Sequence, residues 1–464
     1  MRSLPSTPDV NLDGIVAAEE TAAAVAAAWA AGLNLPPIVP NAFIQANADG
    51  SAYQTRTPAQ VRTSLHSIPF TEVPFVEAWN NNVPGDGTDQ TARLQAIIDK
   101  LPNGHGNILL KGDVRVTALN LQSKHNIRIM GLGGLGTGMT QNTMLRTNVG
   151  AIGGGRVIDA RDSFNVSFER IWLEAIDKTT FDGTLLDYGM ITTGASYMHL
   201  TDCLLICDSS AAGARGMNIY GATQGSYKDV AFLGKAASGL VSMQQVSGVG
   251  FCNVHNFQSC HFKGTNGNYP VQGSGEGLTF QSCNIQAGAD GLGRFWQASL
   301  SQDFRGVNIL GCTFYDPLAA GNEWIAAYRG NGLNVIGCRF GGRGDLGYAA
   351  AIRLAGTTGG VHGVTILGNN FEYCNPAISF AGNIAAGTHA REILVASNYL
   401  YGTTPNLFGS AILSERLTIF PNHIQGFPNA FGAHFNLLYA IPTASTGLGH
   451  GDIYSNAGVL TMVT

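Results

Sequence analysis

Val307-Asn308-Ile309-Leu310-Gly311-Cys312-Thr313-Phe314 decides the fold of this chain, because the chain keeps repeating it. The phrase is apolar, any, apolar, any, small, Cys or Asn, any, apolar. It returns as Leu333-Asn-Val335-Ile-Gly-Cys338-Arg-Phe340, Val364-Thr-Ile366-Leu-Gly-Asn369-Asn-Phe371, Ile393-Leu-Val395-Ala-Ser-Asn398-Tyr-Leu400 and Leu417-Thr-Ile419-Phe-Pro-Asn422-His-Ile424. Earlier copies surround Phe257-Gln-Ser-Cys260-His-Phe262 and Phe280-Gln-Ser-Cys283-Asn-Ile285. Fixed internal spacing, repeated roughly every 25 residues across spacers of variable length, marks a solenoid with loops inserted between its rungs.

Inside each phrase apolar and polar residues alternate, which is strand periodicity. The offset at Gly311-Cys312 marks a tight bend, after which alternation resumes. Helical i, i+3, i+4 spacing is absent, and glycine recurs too often for long helices. Three short strands per rung of this size predict an all-β parallel β-helix.

The bend position carries Cys203, Cys260, Cys283, Cys312 and Cys338, then Asn369, Asn398 and Asn422. Rungs stack about 4.8 Å apart, so these side chains should form an internal ladder. Asn both donates and accepts, and Cys is a small buried hydrophobe. A metal or redox array would need C-x-x-C pairs; only Cys203/Cys207 comes near, without a histidine partner. No metal site and no cofactor are expected.

At 464 residues the chain holds one large domain plus appendages. Its 61 glycines and 12% charged residues fit stacked β-structure rather than a helical bundle or disorder. A net charge of −5 gives no reason to expect nucleic acid. No apolar run reaches membrane-spanning length. The Ala-rich stretch Val16–Ala31 is broken by Glu19, Glu20 and Thr21 and lacks a basic leader, so it does not read as a secretory signal.

Five segments follow: an Ala-rich helix in 1–39, a small linker in 40–76, a capping turn and helix in 77–104, the β-helix in 105–427 and a short β region in 428–464. Asp49-Gly50, between Phe43-Ile44 and Tyr53, reads as a hairpin turn. Thr57-Pro58 reads as a helix start. After Pro84-Gly85-Asp86-Gly87-Thr88-Asp89, Asp89 is a plausible N-cap, and Leu94, Ile97 and Ile98 form one apolar helix face. Such a helix covers an otherwise open end of the solenoid.

The Gly85-Asp-Gly87-Thr88-Asp89 turn leading into a helix resembles the N-terminal signature of the pectate-lyase-like superfamily. The "P-G-x-Y" element of that signature is here Lys111-Gly112-Asp113-Val114, without its Pro and Tyr. The tract Phe43–Val61 resembles a segment of bacteriophage tail-fibre and tailspike proteins, and Ile441–Leu460 resembles the terminal hairpin of phage structural proteins. Together these resemblances imply a right-handed β-helix and a homotrimer. They also imply attachment to phage tail or virion proteins through the N-terminus, and a bacterial surface polysaccharide that the β-helix binds or cuts. A virion location, extracellular when acting on the host, follows from the same resemblance.

If each phrase supplies the second and third strands of a coil, the first strand lies in the spacer. The candidates are Val157–Asp159, Met217–Tyr220, Leu240–Gln244, Phe295–Ala298, Ile325–Arg329, Ala351–Leu354, Ala377–Phe380 and Ala411–Leu413. Their outer faces would form a shallow groove of the kind glycans occupy. The middle coils carry Asp290, Arg294, Trp296, Asp303, Asp316, Glu323, Trp324, Tyr328, Arg329, Asp345, Tyr348 and Arg353. Two carboxyls about 5 Å apart, or about 6.5–9.5 Å, serve glycosidases, which pairs Glu323 with Asp303 or Asp345 as acid and base. Trp296, Trp324, Tyr328, Arg329 and Arg353 are the candidate sugar contacts, with Arg329 or Arg353 available to neutralise a uronate in a lyase. Strand phase is not fixed here, so Trp296 and Trp324 face either groove or core. Carboxylates in Gly-rich loops are ordinarily turn residues, and Arg beside an acid is ordinarily a surface pair. Two rivals therefore stand beside the tailspike reading: a non-enzymatic β-helical virion protein, and a free pectate-lyase-like enzyme, which the missing signal peptide disfavours.

Overall fold

The computed structural model describes strands at 43–46, 53–56, 453–456 and 459–462. It also describes most of 75–424, with breaks at 102–104, 134–142, 148–154, 177–179, 244–251, 265–268, 289–292, 316, 318–322, 342–349, 357–358, 375, 382–388, 403–406, 409–413 and 421. The Ala-rich helix of 1–39, the Asp49-Gly50 turn, the Thr57-Pro58 helix start and the strand Ala411–Leu413 lie outside the described residues. The chain divides into two compact units, Met1–Val73 and Pro74–Thr464. In the first, Phe43–Ala46 pairs antiparallel with Tyr53–Arg56. In the second, Ile453–Asn456 and Val459–Met462 form a tight antiparallel hairpin.

Most of the described residues of 75–424 form a right-handed parallel β-helix. Among the described residues its three parallel sheets hold ten, thirteen and thirteen strands. Each coil passes through them in order, for example Arg294–Gln297 in sheet I, Phe304–Leu310 in sheet II and Thr313–Tyr315 in sheet III. Register explains the repeated phrase. Phe280, Ile309, Val335, Ile366 and Val395 are successive partners in sheet II. Phe314, Phe340, Phe371 and Leu400 are successive partners in sheet III. Like therefore stacks on like: the rings of Phe314 and Phe340 lie 4.4 Å apart, and those of Phe340 and Phe371 4.9 Å apart. Each such buried side chain contributes roughly 1.5–3 kcal/mol.

The bend between sheets II and III explains the Cys-to-Asn switch. The small residue before it has positive φ, as at Ser259, Ser282, Gly311, Gly337, Gly368 and Ser397. The next side chain points inward and donates to a carbonyl of the coil before. Cys260, Cys283, Cys312 and Cys338 donate through Sγ to Tyr227, Phe257, Phe280 and Ile309 at 3.3–3.4 Å. Asn369 and Asn398 donate through Nδ2 to Val335 and Ile366 at 2.9 and 3.0 Å. Asn adds an acceptor, since Asn369 and Asn398 Oδ1 receive the N–H groups of Cys338 and Asn369. All eight cysteines are free and buried. Burial holds the Cys203 and Cys207 thiols up at about 12, so both stay protonated. Among the described residues no group of three or more His, Cys, Asp or Glu is placed to hold a metal ion.

At the N-terminal end, helix α1 (Thr91–Lys100) buries Leu94, Ile97 and Ile98. Its N-cap is Gln90 rather than Asp89; the Asp89 carboxylate takes the N–H of Thr91. Gln90 is buried, receives the Gly85 N–H and donates to Asp86. The Gly85 and Lys111-Gly112 turns stack so closely that a Cβ on Gly85 would lie 1.9 Å from the Lys111 carbonyl oxygen. The β-helix begins before residue 105, because Phe75–Glu77 already pairs with Gly106–Leu110 in sheet II. A three-residue strand is too short to show alternation in the sequence.

Candidate functional site

Sheet I matches the predicted spacer strands other than Ala411–Leu413, which lies outside the described residues, and adds three that the pattern did not reveal, Leu119–Asn120, Thr184–Asp187 and Val271–Gly273. Most of these strands do not alternate; Val271–Gly273 and Ile378–Ala381 do. Arg156–Asp159, Arg215–Asn218 and Arg294–Gln297 each bury their two middle residues and leave the ends more accessible. Two consecutive residues thus belong to the core, and polar side chains flank them on the outside.

That geometry overturns two predicted sugar contacts. Trp296 and Trp324 are fully buried and offer no face to a ligand. Trp296 Nε1 donates to the Gly273 carbonyl at 3.1 Å, while Trp324 packs against Phe314. Both rings stabilise the solenoid.

The outer positions do converge. Glu323 stands next to Arg294 in register on the preceding coil. Its carboxylate accepts from Arg353 Nη1 at 2.9 Å and from the Tyr269 hydroxyl at 3.3 Å. The Arg294 guanidinium lies 5.5 Å over the Tyr269 ring, a cation–π distance. Burial first, and then the nearby Glu323 charge, push the Tyr269 hydroxyl above its ordinary range, so it remains a donor. Tyr328 accepts from Gln297 Nε2 at 3.4 Å. Four successive coils therefore present one patch containing Tyr269, Arg294, Glu323 and Arg353, with the Gln297–Tyr328 pair toward the other end of the same strands.

Asp303 does not join it. It pairs with Arg329 Nε at the turn into sheet II. Glu323 opens the strand Glu323–Ala327, and Arg329 lies beyond its other end. Four strand steps of about 3.3 Å put about 13 Å between those ends. Glu323 and Asp303 therefore cannot serve as the expected acid and base. Asp345, with Asp290, Asp316 and Tyr348, lies outside the described residues.

Sequence reasoning missed a second polar cluster nearer the N-terminus. Asp159 and Asp187 are register partners on adjacent coils. Asp187 is buried, pairs with Arg156 and accepts from Asn218 Nδ2 at 2.8 Å. Arg161 donates to both oxygens of Asp159 at 2.8 and 2.7 Å, and this bonding to Asp159 raises the Arg161 pKa. The signal was two Asp residues ending equivalent strands. It was hidden because Thr184–Asp187 had not been recognised as a strand.

No protein-family model matches this chain, and no curated protein sequence does. Solved structures do. An exopolygalacturonase from Thermotoga maritima aligns over 78% of this chain and 93% of its own, with 9% identity and a TM-score of 0.51. Tailspike protein 3 of bacteriophage CBA120 aligns over 96% of this chain and 74% of its own, with 11% identity and a TM-score of 0.42. The A-module of a mannuronan C-5 epimerase from Azotobacter vinelandii aligns over 75% and 94%, with 16% identity and a TM-score of 0.40. At such identities the likeness to the polygalacturonase establishes fold alone: this is a right-handed parallel β-helix.

Proposed function

We propose that this chain is a phage virion tailspike whose β-helix binds a bacterial surface polysaccharide along the outer face of sheet I. The observation that carries the reading is the patch of Tyr269, Arg294, Glu323 and Arg353, four coils long, with Gln297 and Tyr328 further along the same strands, rich in donors for sugar hydroxyls and carboxylates. The virion role, the trimer and N-terminal attachment rest on the motifs around Phe43–Val61 and Ile441–Leu460. Binding without cleavage at this patch is the simplest reading, since Glu323 is held by Arg353 and has no second carboxylate from Asp303 beside it.

The decisive assay incubates the purified protein with surface polysaccharide. It follows retention of the glycan, release of reducing ends and the absorbance of unsaturated uronate. Retention with neither product is expected; no retention sinks the reading. A hydrolase is the second reading, favoured by Asp159 and Asp187 as register partners on adjacent coils, each carboxylate held by an arginine. Reducing ends that vanish in Asp187→Asn would establish it.

A further inference from the structure

From Asn126 onward each coil turns sharply on entering sheet II at a residue with positive φ. Gly277, Gly306, Gly332 and Gly363 do this in the later coils, followed by Glu392 and Arg416. Earlier coils use Asn126 and Asn165, which tolerate the conformation, and Gln224, but also the bulkier Tyr197 at φ 56° and Val254 at φ 55°. An aromatic or β-branched residue is disfavoured there. Yet Tyr197 is 43% exposed and Val254 58% exposed, so neither side chain is held there by core packing. Strain of this kind gathers where function requires it.

The preceding positions stack too: His125, Phe164, Ser196 and Thr223 are consecutive parallel-bridge partners. Phe164 is 40% exposed, and its ring centroid lies 5.0 Å from Tyr197 and 6.0 Å from His125. Amides and hydroxyls line the same bend, with Asn165 donating to Asn126 at 2.7 Å and Ser196 bonded to Thr223 at 2.8 Å. The loop leading into Tyr197 is clasped by Asp162, which accepts the N–H groups of Ile191, Thr192, Thr193 and Gly194.

We propose that Phe164 and Tyr197, with the polar groups beside them, form a second glycan platform, separate from the sheet I patch, that stacks on the uncharged faces of a polysaccharide chain. The inference rests on the polysaccharide-binding reading above. The Phe164 and Tyr197 rings meet edge to face at 61°, so only one of them lies along a given sugar face. The stacked positions His125, Asn126, Phe164, Asn165, Ser196 and Tyr197 include no carboxylate, Lys or Arg, which suits sugar faces better than a charged protein surface. A protein partner would need about 800 Å², whereas even a whole aromatic side chain supplies at most about 250 Å².

The test uses the full chain against a panel of immobilised bacterial capsular and O-chain polysaccharides. Phe164→Ala/Tyr197→Ala should bind the preferred glycan at least about tenfold more weakly, with unchanged Tm and sedimentation. Tyr197→Gly should raise Tm while weakening binding, a split that a purely structural residue would not give. If the double variant binds like wild type while Arg353→Gln binds weakly, the platform is refuted and the sheet I reading survives. If wild type retains no glycan, both readings fail. If sedimentation changes and binding does not, the stripe is a contact between copies and the proposal is wrong.

Discussion

The inner bend between sheets II and III and the outer face of sheet I are built from the same coils and obey opposite rules. Inside, Cys260, Cys283, Cys312, Cys338, Asn369 and Asn398 each make the same bond to the coil before. Outside, Arg294, Glu323 and Ala350 occupy one register line and share no property. Repetition holds the solenoid together, and loss of repetition is where binding chemistry has room to arise.

The inner rule breaks most sharply at Asn398. Its amide donates to Ile366 and Asn422, and its oxygen accepts from the N–H and Nδ2 of Asn369. Asn398→Ala leaves several buried groups without partners, each costing about 1–3 kcal/mol. A loss of about 3–5 kcal/mol is expected in denaturant unfolding; a loss below about 1 kcal/mol would refute the ladder's energetic role.

His255 tests the inner face by pH. It is fully buried in sheet II between the Tyr227 hydroxyl and the Ala222 carbonyl, each at 3.1 Å. Burial pushes its pKa down to about 4, only partly offset by the Ala222 bond. The unfolded chain protonates near pH 6.5 while the folded chain does not, so stability is full above that pH and falls as pH drops toward 4. The shift corresponds to a loss on the order of 3 kcal/mol. His199 and His261, also lowered by burial, add the same sign. Unfolding free energies at pH 7 and pH 4.5 should differ much less in His255→Gln than in wild type; an equal difference would remove His255 from the account.

The equivalence of thiol and amide makes a smaller prediction. Cys312→Ala removes the donor to Phe280 and should cost about 1–2 kcal/mol. Cys312→Asn restores a donor and supplies an acceptor, as at Asn369, and should stay within about 1 kcal/mol of wild type. Thermal unfolding in parallel decides it: an Asn variant worse than Ala would show that volume, not hydrogen bonding, governs the bend.

The inner rule was legible in the sequence because every copy of the phrase obeys it. The outer rule was not, and the reasons are physical. Sheet I buries two neighbouring residues, so Trp296 and Trp324 lie inside where strict alternation leaves their phase open. Thr184–Asp187 places Leu185 and Leu186 side by side and carries no alternation at all. Tyr269, central to the patch, sits before a three-residue strand and is brought to Glu323 only by stacking two coils away. Arg353 and Tyr328 could be singled out as candidates because charged and aromatic residues in spacers stand out without any knowledge of phase.

Arg353→Gln is expected to perturb stability least. The pair with Glu323 is partly exposed, with 37% of the Arg353 side chain accessible, and such pairs contribute about 0–1 kcal/mol. Tm should therefore scarcely move. Glu323 would keep only the Tyr269 hydroxyl, and the patch would lose one of its two guanidinium groups. Polysaccharide affinity should fall about tenfold, with a weaker dependence on salt, because a charge-assisted contact has been removed. Retention assays at two ionic strengths separate the outcomes. Unchanged affinity would mean that Arg353 only orders its neighbour, and that the outer face of these coils is as structural as the inner one.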